Sequence, residues 1–147
     1  MTLERALIVG ASHAGAQLSA SLRQEGWTGE IVLVGDESAL PYQRPPLSKA
    51  YLAGKCTLEE LAIRSAEFYT KQRIQLLDAT VEAVDRAAGH LSLSTGESLP
   101  YDRLALCTGA RPRRSPPREP TWPESSTYAP RRTSRRSETP PDRGVEP

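Results

Sequence analysis

The chain has 147 residues, a formal net charge of +1, 37% hydrophobic residues and 13 prolines, about twice the usual proline share. That length allows one domain with an appendage, and the balanced charge gives no electrostatic case for a nucleic-acid or anionic-membrane partner. No apolar run reaches the roughly 18 residues of a membrane span, and the first residues lack the basic, apolar and small-residue layout of a signal peptide, so a cytoplasmic location is expected.

The first element is the run Ala6 to Val9, which ends in Gly10-Ala11-Ser12-His13-Ala14-Gly15. An uncharged strand leading through small residues into a helical pattern reads as strand, tight turn and helix N-terminus. Such a terminus leaves backbone N–H groups unpaired at the positive end of the helix dipole, a place suited to a phosphate. From His13 to Glu25 the alanines at 14, 16 and 20, with Leu18 and Leu22, give the helix an apolar face, and Gly26 is a plausible stop. Ile31 to Val34 is a second buried strand, so a right-handed parallel strand-helix-strand unit is expected. It ends at Gly35-Asp36-Glu37, where a carboxylate is suitably placed for a ribose diol. As residues alone, Asp36 and Glu37 equally fit an ordinary turn.

Pro41 to Leu52 follows, with Pro45-Pro46 fixing the backbone between Arg44 and Lys49 and a short helix expected near Leu47. On residue types alone this stretch also fits a surface turn with solvated charges. Thr57 to Thr70 suits short helices, and Ile74 to Leu77 another strand. Ala79 to Asp85, Leu91 to Ser94 and Ser98 to Tyr101, punctuated by Gly89 and Thr95-Gly96-Glu97, predict a small antiparallel meander. The last apolar strand is Leu104 to Cys107, running into Thr108-Gly109-Ala110, small residues that permit close approach of a ligand at the sheet's carboxyl edge. Cys56 and Cys107 stand far apart and are expected to be buried structural residues; with only His13 and His90 beside them, a zinc site is not expected.

After Arg114 the composition changes. Residues 115–147 contain no Leu, Ile or Met but eight of the 13 prolines and six arginines, too little apolar surface to offset the entropy of ordering. The chain therefore divides into an α/β domain over 1–114 and a Pro/Arg-rich tail over 115–147 that is expected to be disordered.

Four blocks in order, Ala6 to Gly15, Val34 to Glu37, Arg44 to Leu52 and Tyr101 to Pro112, resemble the N-terminal FAD-binding part of NAD(P)H-dependent ferredoxin reductases of the putidaredoxin and rhodocoxin reductase type, within the pyridine nucleotide-disulfide oxidoreductase superfamily. The resemblance implies a Rossmann-like FAD-binding domain with a parallel sheet and a small meander. It implies that Gly10, Ala14 and Gly15 form the pyrophosphate turn and that Asp36 holds the adenosine ribose. It also implies that Lys49 approaches the flavin end, that Val81 meets adenine through its backbone and that Thr108-Gly109 closes over the cofactor, with Arg44 in the same neighbourhood. Ser12 stands where the family has its second glycine; its hydroxyl is able to donate to a phosphate oxygen.

The resemblance also implies an iron–sulfur ferredoxin as electron acceptor, since the redox cysteine pair of related disulfide reductases has no counterpart here. NAD(P)H is expected only for a full-length relative, because the family's second glycine-rich domain and later Gly-Asp segment are not in the sequence. No catalytic residue is assigned. The expected function is a truncated FAD-binding portion of such an oxidoreductase, unable to transfer hydride alone; the alternative is a stand-alone ADP- or FAD-binding or partner-binding domain. Read in a shifted frame with codons ending in G or C, Thr121 to Ser134 permits a Leu-Arg-Thr stretch similar to the family's interdomain linker, so the tail is expected to be a frameshift product. Sequencing the gene tests this: the shifted frame downstream must encode the glycine-rich and Gly-Asp blocks.

Overall fold

The two apolar runs become neighbouring strands, β1 (Arg5–Val9) and β2 (Glu30–Gly35), paired in parallel with Leu7 opposite Val32 and Val9 opposite Val34. The architecture comes from a computed structural model, which describes residues 4–110. Between them runs α1 (His13–Gln24), stopped where Glu25 caps it and Gly26 turns to φ 88°. Gly26 can enter that left-handed region because it lacks a Cβ. The predicted boundaries hold within one or two residues.

Past β2 the chain makes a short strap. Tyr42 forms an antiparallel bridge with Ala62, and the N–H groups of Gln43 and Ile63 donate to the carbonyls of Leu61 and Pro41, each at 2.8 Å. Inside the strap lie two 3-10 turns, Pro45–Ser48 and Glu59–Leu61, the first being the short helix expected near Leu47. Helix α2 (Ala66–Lys71) starts at Ser65, whose hydroxyl accepts from the Phe68 N–H, and leads into β3 (Ile74–Asp78). The predicted meander is β4 (Val81–Asp85), β5 (His90–Leu93) and β6 (Ser98–Pro100), paired antiparallel in that order. Finally β7 (Arg103–Leu106) returns to the parallel sheet, whose order is β3-β2-β1-β7.

Alternate residues of the central strands point to opposite faces, and both faces are covered. Ala6, Ile8, Ile31 and Leu33 pack with Ile74 and Tyr69 on the helical side, where Leu18, Leu22 and Phe68 close the layer. Leu7, Val9, Val32 and Val34 pack instead against Ala79, Leu91 and Leu93 of the meander side. This explains the continuous apolar runs: each strand is buried twice, by helices and by a second sheet. Burying each of Leu7, Ile8, Ile31 and Leu33, at 1% exposure or less, contributes about 1.5–3 kcal/mol. Two expectations need correcting. Cys56 and Cys107 are free thiols as expected, but both are only half-buried, because each follows a regular element or turn at the rim of the core. Cys107 also lies one residue beyond β7, although its N–H still donates to the Val9 carbonyl at 2.7 Å. The boundary at residue 114 and the tail over 115–147 lie outside the described residues.

Candidate nucleotide-binding site

The carboxyl ends of β1, β2 and β7 meet at Gly10. Its N–H donates to the Val34 carbonyl at 2.8 Å, and its backbone turns at φ 112°, a conformation that side chains resist. A Cβ here would overlap the Cys107 carbonyl oxygen and come within 3.1 Å of the Thr108 nitrogen. One turn later, in α1, a Cβ on Gly15 would overlap the Gly10 carbonyl oxygen and press Leu33 Cδ1 at 2.9 Å. Both glycines are therefore steric requirements of the strand-turn-helix junction.

Their close packing buries Gly15 and Ala16 and leaves His13 and Ala14 exposed at the start of α1. Ser12 occupies the N-cap position with extended backbone, yet its hydroxyl makes no capping bond, and the N–H groups of His13, Ala14 and Gly15 have no acceptor among the described residues. The first turn carries no acidic side chain. Three free donors, a free hydroxyl and the positive end of a 12-residue helix dipole converge there, which is an arrangement for an anion such as a phosphate.

The end of β2 resolves which of its two carboxylates is available. Glu37 accepts from the Tyr42 hydroxyl and, at 2.7 Å, from Arg44 Nη2, whereas Asp36 is exposed and makes no hydrogen bond or ion pair among the described residues. The Arg44 guanidinium also sits 5.8 Å from the Tyr42 ring centroid. Burial first, then the bond to Glu37, pushes the Tyr42 hydroxyl up to about 12, so it stays protonated and donates. Arg44 is thus brought to the β2 end by an anchor within the chain.

The other predicted residues distribute around this edge. The Ala79 N–H donates to the Gly35 carbonyl at 2.8 Å, which sets Val81, half-buried at the start of β4, just after the β2 end. Thr108 and Gly109 are exposed beyond β7, Thr108 against Gly10 and Gly109 at φ 65°. Lys49 is exposed at the end of the first 3-10 turn, and no hydrogen bond or ion pair of its side chain joins it to the others. So Gly10, Ser12, Ala14, Gly15 and Thr108 form one group, Asp36 and Arg44 stand at the adjoining strand end, and Lys49 stands apart.

Three participants went unassigned in the sequence. Glu37 and Tyr42 pair across five residues through the strap, with no periodic signal; the nearest hint is a tyrosine and an arginine flanking Gln43 after an acidic strand end. Gly35 was read only as part of the second strand's end, but a Cβ there would stand 2.5 Å from Ala11 Cβ, so it too keeps the phosphate turn close to the sheet. A second concavity of about 550 Å³ opens between the sheet and the meander, lined by Arg5, Val32, Gln75, Leu77 and Leu99. Arg5 starts β1, which puts this cleft toward the opposite strand ends, and its guanidinium is already committed to Glu30 at 2.6 Å.

Comparison with known proteins agrees with the fold. The family model described as pyridine nucleotide-disulphide oxidoreductase matches residues 4–137. Putidaredoxin reductase of Pseudomonas putida is 49% identical over 114 residues, which cover 77% of this chain and 27% of that protein. Its crystal structure in covalent complex with putidaredoxin superposes with a TM-score of 0.73 at 48% identity, covering 77% of this chain and 27% of that one. A ferredoxin reductase structure from Rhodopseudomonas palustris gives a TM-score of 0.72 at 44% identity, covering 75% and 27%. The chain thus spans about a quarter of the length of the relatives it matches.

Proposed function

This chain belongs to the pyridine nucleotide-disulphide oxidoreductase family, and from that premise we propose that its α/β unit binds the ADP half of FAD as the N-terminal flavin-binding portion of a ferredoxin reductase-type oxidoreductase. The observation that carries this is the juxtaposition of unpartnered N–H groups at His13 to Gly15 with an unpaired carboxylate at Asp36, on one edge of one parallel sheet. Diphosphate and ribose diol are the two polar features of an ADP moiety, and these are their complements.

FAD fits the residues present. Gly10 and Gly15 leave room where a Cβ would block the backbone, the α1 donors and the Ser12 hydroxyl would hold the pyrophosphate, and Asp36 would accept from the ribose hydroxyls. Val81, through its backbone, would meet the adenine; Thr108-Gly109 would cover the turn; Lys49 would supply a cation toward the flavin, and Arg44, paired with Glu37, would stand in the same neighbourhood. When bound, the flavin supplies a two-electron carrier able to pass electrons singly. The chain's own residues orient it and shield its phosphates. Hydride transfer also needs a nicotinamide held at near-attack distance, and residues 4–110 contain one dinucleotide turn, which the flavin would occupy. We therefore assign binding, and not hydride transfer, to this stretch. An iron–sulfur ferredoxin is the electron acceptor this reading implies, supported by the putidaredoxin in the names of the relatives, and the cytoplasm is its location. Among the described residues no helix is long and apolar enough to cross a membrane.

The test is a fluorescence titration of the whole chain with FAD, followed by competition with ADP. Saturable quenching reversed by ADP is expected; no saturable quenching overturns the reading. Because the converging groups address only the ADP half, a stand-alone nucleotide-binding module is the second reading. Equal thermal shifts with ADP, NAD and FAD would favour it, and a larger shift with FAD would favour the first.

A further inference from the structure

The one ion pair at the site's edge is not between ligand-facing groups. Arg44 is held by Glu37, which is held in turn by Tyr42, and Tyr42 is fixed by its backbone bridge to Ala62. The two hydrogen bonds beside that bridge, Gln43 to Leu61 and Ile63 to Pro41, leave the strap little freedom to move. Glu37 follows Asp36 directly at the end of β2, so the guanidinium is retained at the same strand end as the carboxylate assigned to the ribose. An arginine in that neighbourhood is what dinucleotide sites use to receive a 2′-phosphate, and a carboxylate is what they use to refuse one. Here the arginine is present, but both carboxylate oxygens of Glu37 are spent on Arg44 and Tyr42, and the guanidinium's charge is compensated before any ligand arrives.

We propose that Glu37 is a specificity-determining residue: by retaining Arg44 it keeps the ribose end of the site selective against 2′-phosphorylated nucleotides. The proposal rests on the nucleotide-binding reading above. It assigns different tasks to two adjacent carboxylates, Asp36 to bind the diol and Glu37 to withhold a cation.

Binding of ADP-ribose and of 2′-phospho-ADP-ribose, which differ only at the position in question, tests it by calorimetry on the whole chain. Glu37→Gln is the informative variant, since its carboxamide oxygen still accepts from Tyr42 while the charge facing Arg44 is gone. The wild type is expected to prefer ADP-ribose, and Glu37→Gln to narrow that preference by about tenfold, the worth of one charge-assisted contact. Adding Arg44→Gln to Glu37→Gln is expected to restore the wild-type ratio, which a merely structural role for Glu37 would not do. Thermal unfolding confirms that each variant is folded; should Glu37→Gln fail to fold, Glu37→Asp, which keeps the charge but shortens its reach, is expected to narrow the preference in the same direction. An unaltered ratio in the folded variant overturns the proposal alone. Absence of ADP-ribose binding by the folded wild type overturns the nucleotide reading, and this proposal with it.

Discussion

The turn from Gly10 to Gly15 and the segment from Asp36 to Lys49 border the same sheet edge, but they are built on different physics. In the turn, the proposed recognition would rest on backbone donors, and the side chains matter chiefly by being absent. Gly10 and Gly15 sit where any Cβ would overlap a carbonyl oxygen, so fold and binding share the same atoms. In the Asp36 to Lys49 segment, the proposed recognition would rest on charged side chains, on a backbone already fixed by the strap and by Pro45-Pro46. Fold and binding separate there. The two glycines of the first region cannot be altered without disturbing the structure, whereas the second region can be tuned one charge at a time.

Substitutions at the two regions should divide accordingly, and the largest effect belongs to the turn. Gly15→Ala is expected to cost about 3 kcal/mol through overpacking against the Gly10 carbonyl, or roughly 10 °C in Tm, read by thermal unfolding. A loss below about 1 kcal/mol would erase the contrast between the regions. Asp36→Asn comes next: nucleotide affinity should fall about tenfold by calorimetry, with Tm unchanged to within a few degrees because the carboxylate has no partner among the described residues. A fall in Tm comparable to that of Gly15→Ala would place Asp36 in the structural class.

Ser12→Ala sharpens the contrast from inside the turn. Because the Ser12 hydroxyl caps nothing, its removal should change stability by less than about 0.5 kcal/mol, although loss of a working N-cap costs typically ~1 kcal/mol. Affinity for ADP should nonetheless drop a fewfold, and an unchanged affinity with reduced stability would reverse the assignment.

The smallest effect is a pH dependence in the second region. The Tyr42 pKa in the folded chain lies near 12, above its ordinary value of 10, so the native state holds a proton that the unfolded chain releases first. Its contribution is complete below about pH 10 and is lost as pH rises toward 12. Denaturant unfolding of Tyr42→Phe should show a shallower loss of stability over that window than the wild type. Identical slopes would remove Tyr42 as the anchor of Glu37.

These differences also explain what the sequence disclosed. Leu7-Ile8-Val9 and Ile31 to Val34 were legible as buried parallel strands because burial on both faces leaves a continuous apolar run, a local signal. The meander was legible through its turn residues, Gly89 and Gly96 both adopting positive φ. That it forms the cover of one sheet face was not, because packing between layers leaves no periodic trace in either partner. At the site, Gly10 and Gly15 were readable from the spacing of small residues. Choosing between Asp36 and Glu37 was not readable from residue types, and Asp36 was named only through the family resemblance, since their pairing depends on where Tyr42 and Arg44 arrive after the strap has closed through Ala62. Burial of the cysteines was misjudged for a related reason: Cys107 ends an apolar run, but β7 stops one residue earlier and is itself only part-buried, which leaves Cys107 at the rim.

The central claim is that the free N–H groups at the start of α1 hold the phosphates of an adenine nucleotide. Amide ¹⁵N–¹H spectra of the whole chain, titrated with ADP and separately with adenosine, test it at those atoms. The account predicts that ADP shifts the His13, Ala14 and Gly15 amides, while adenosine, lacking phosphate, leaves them in place. Shifts confined to the cleft beside Arg5 and Gln75, or none on saturating ADP, would contradict it.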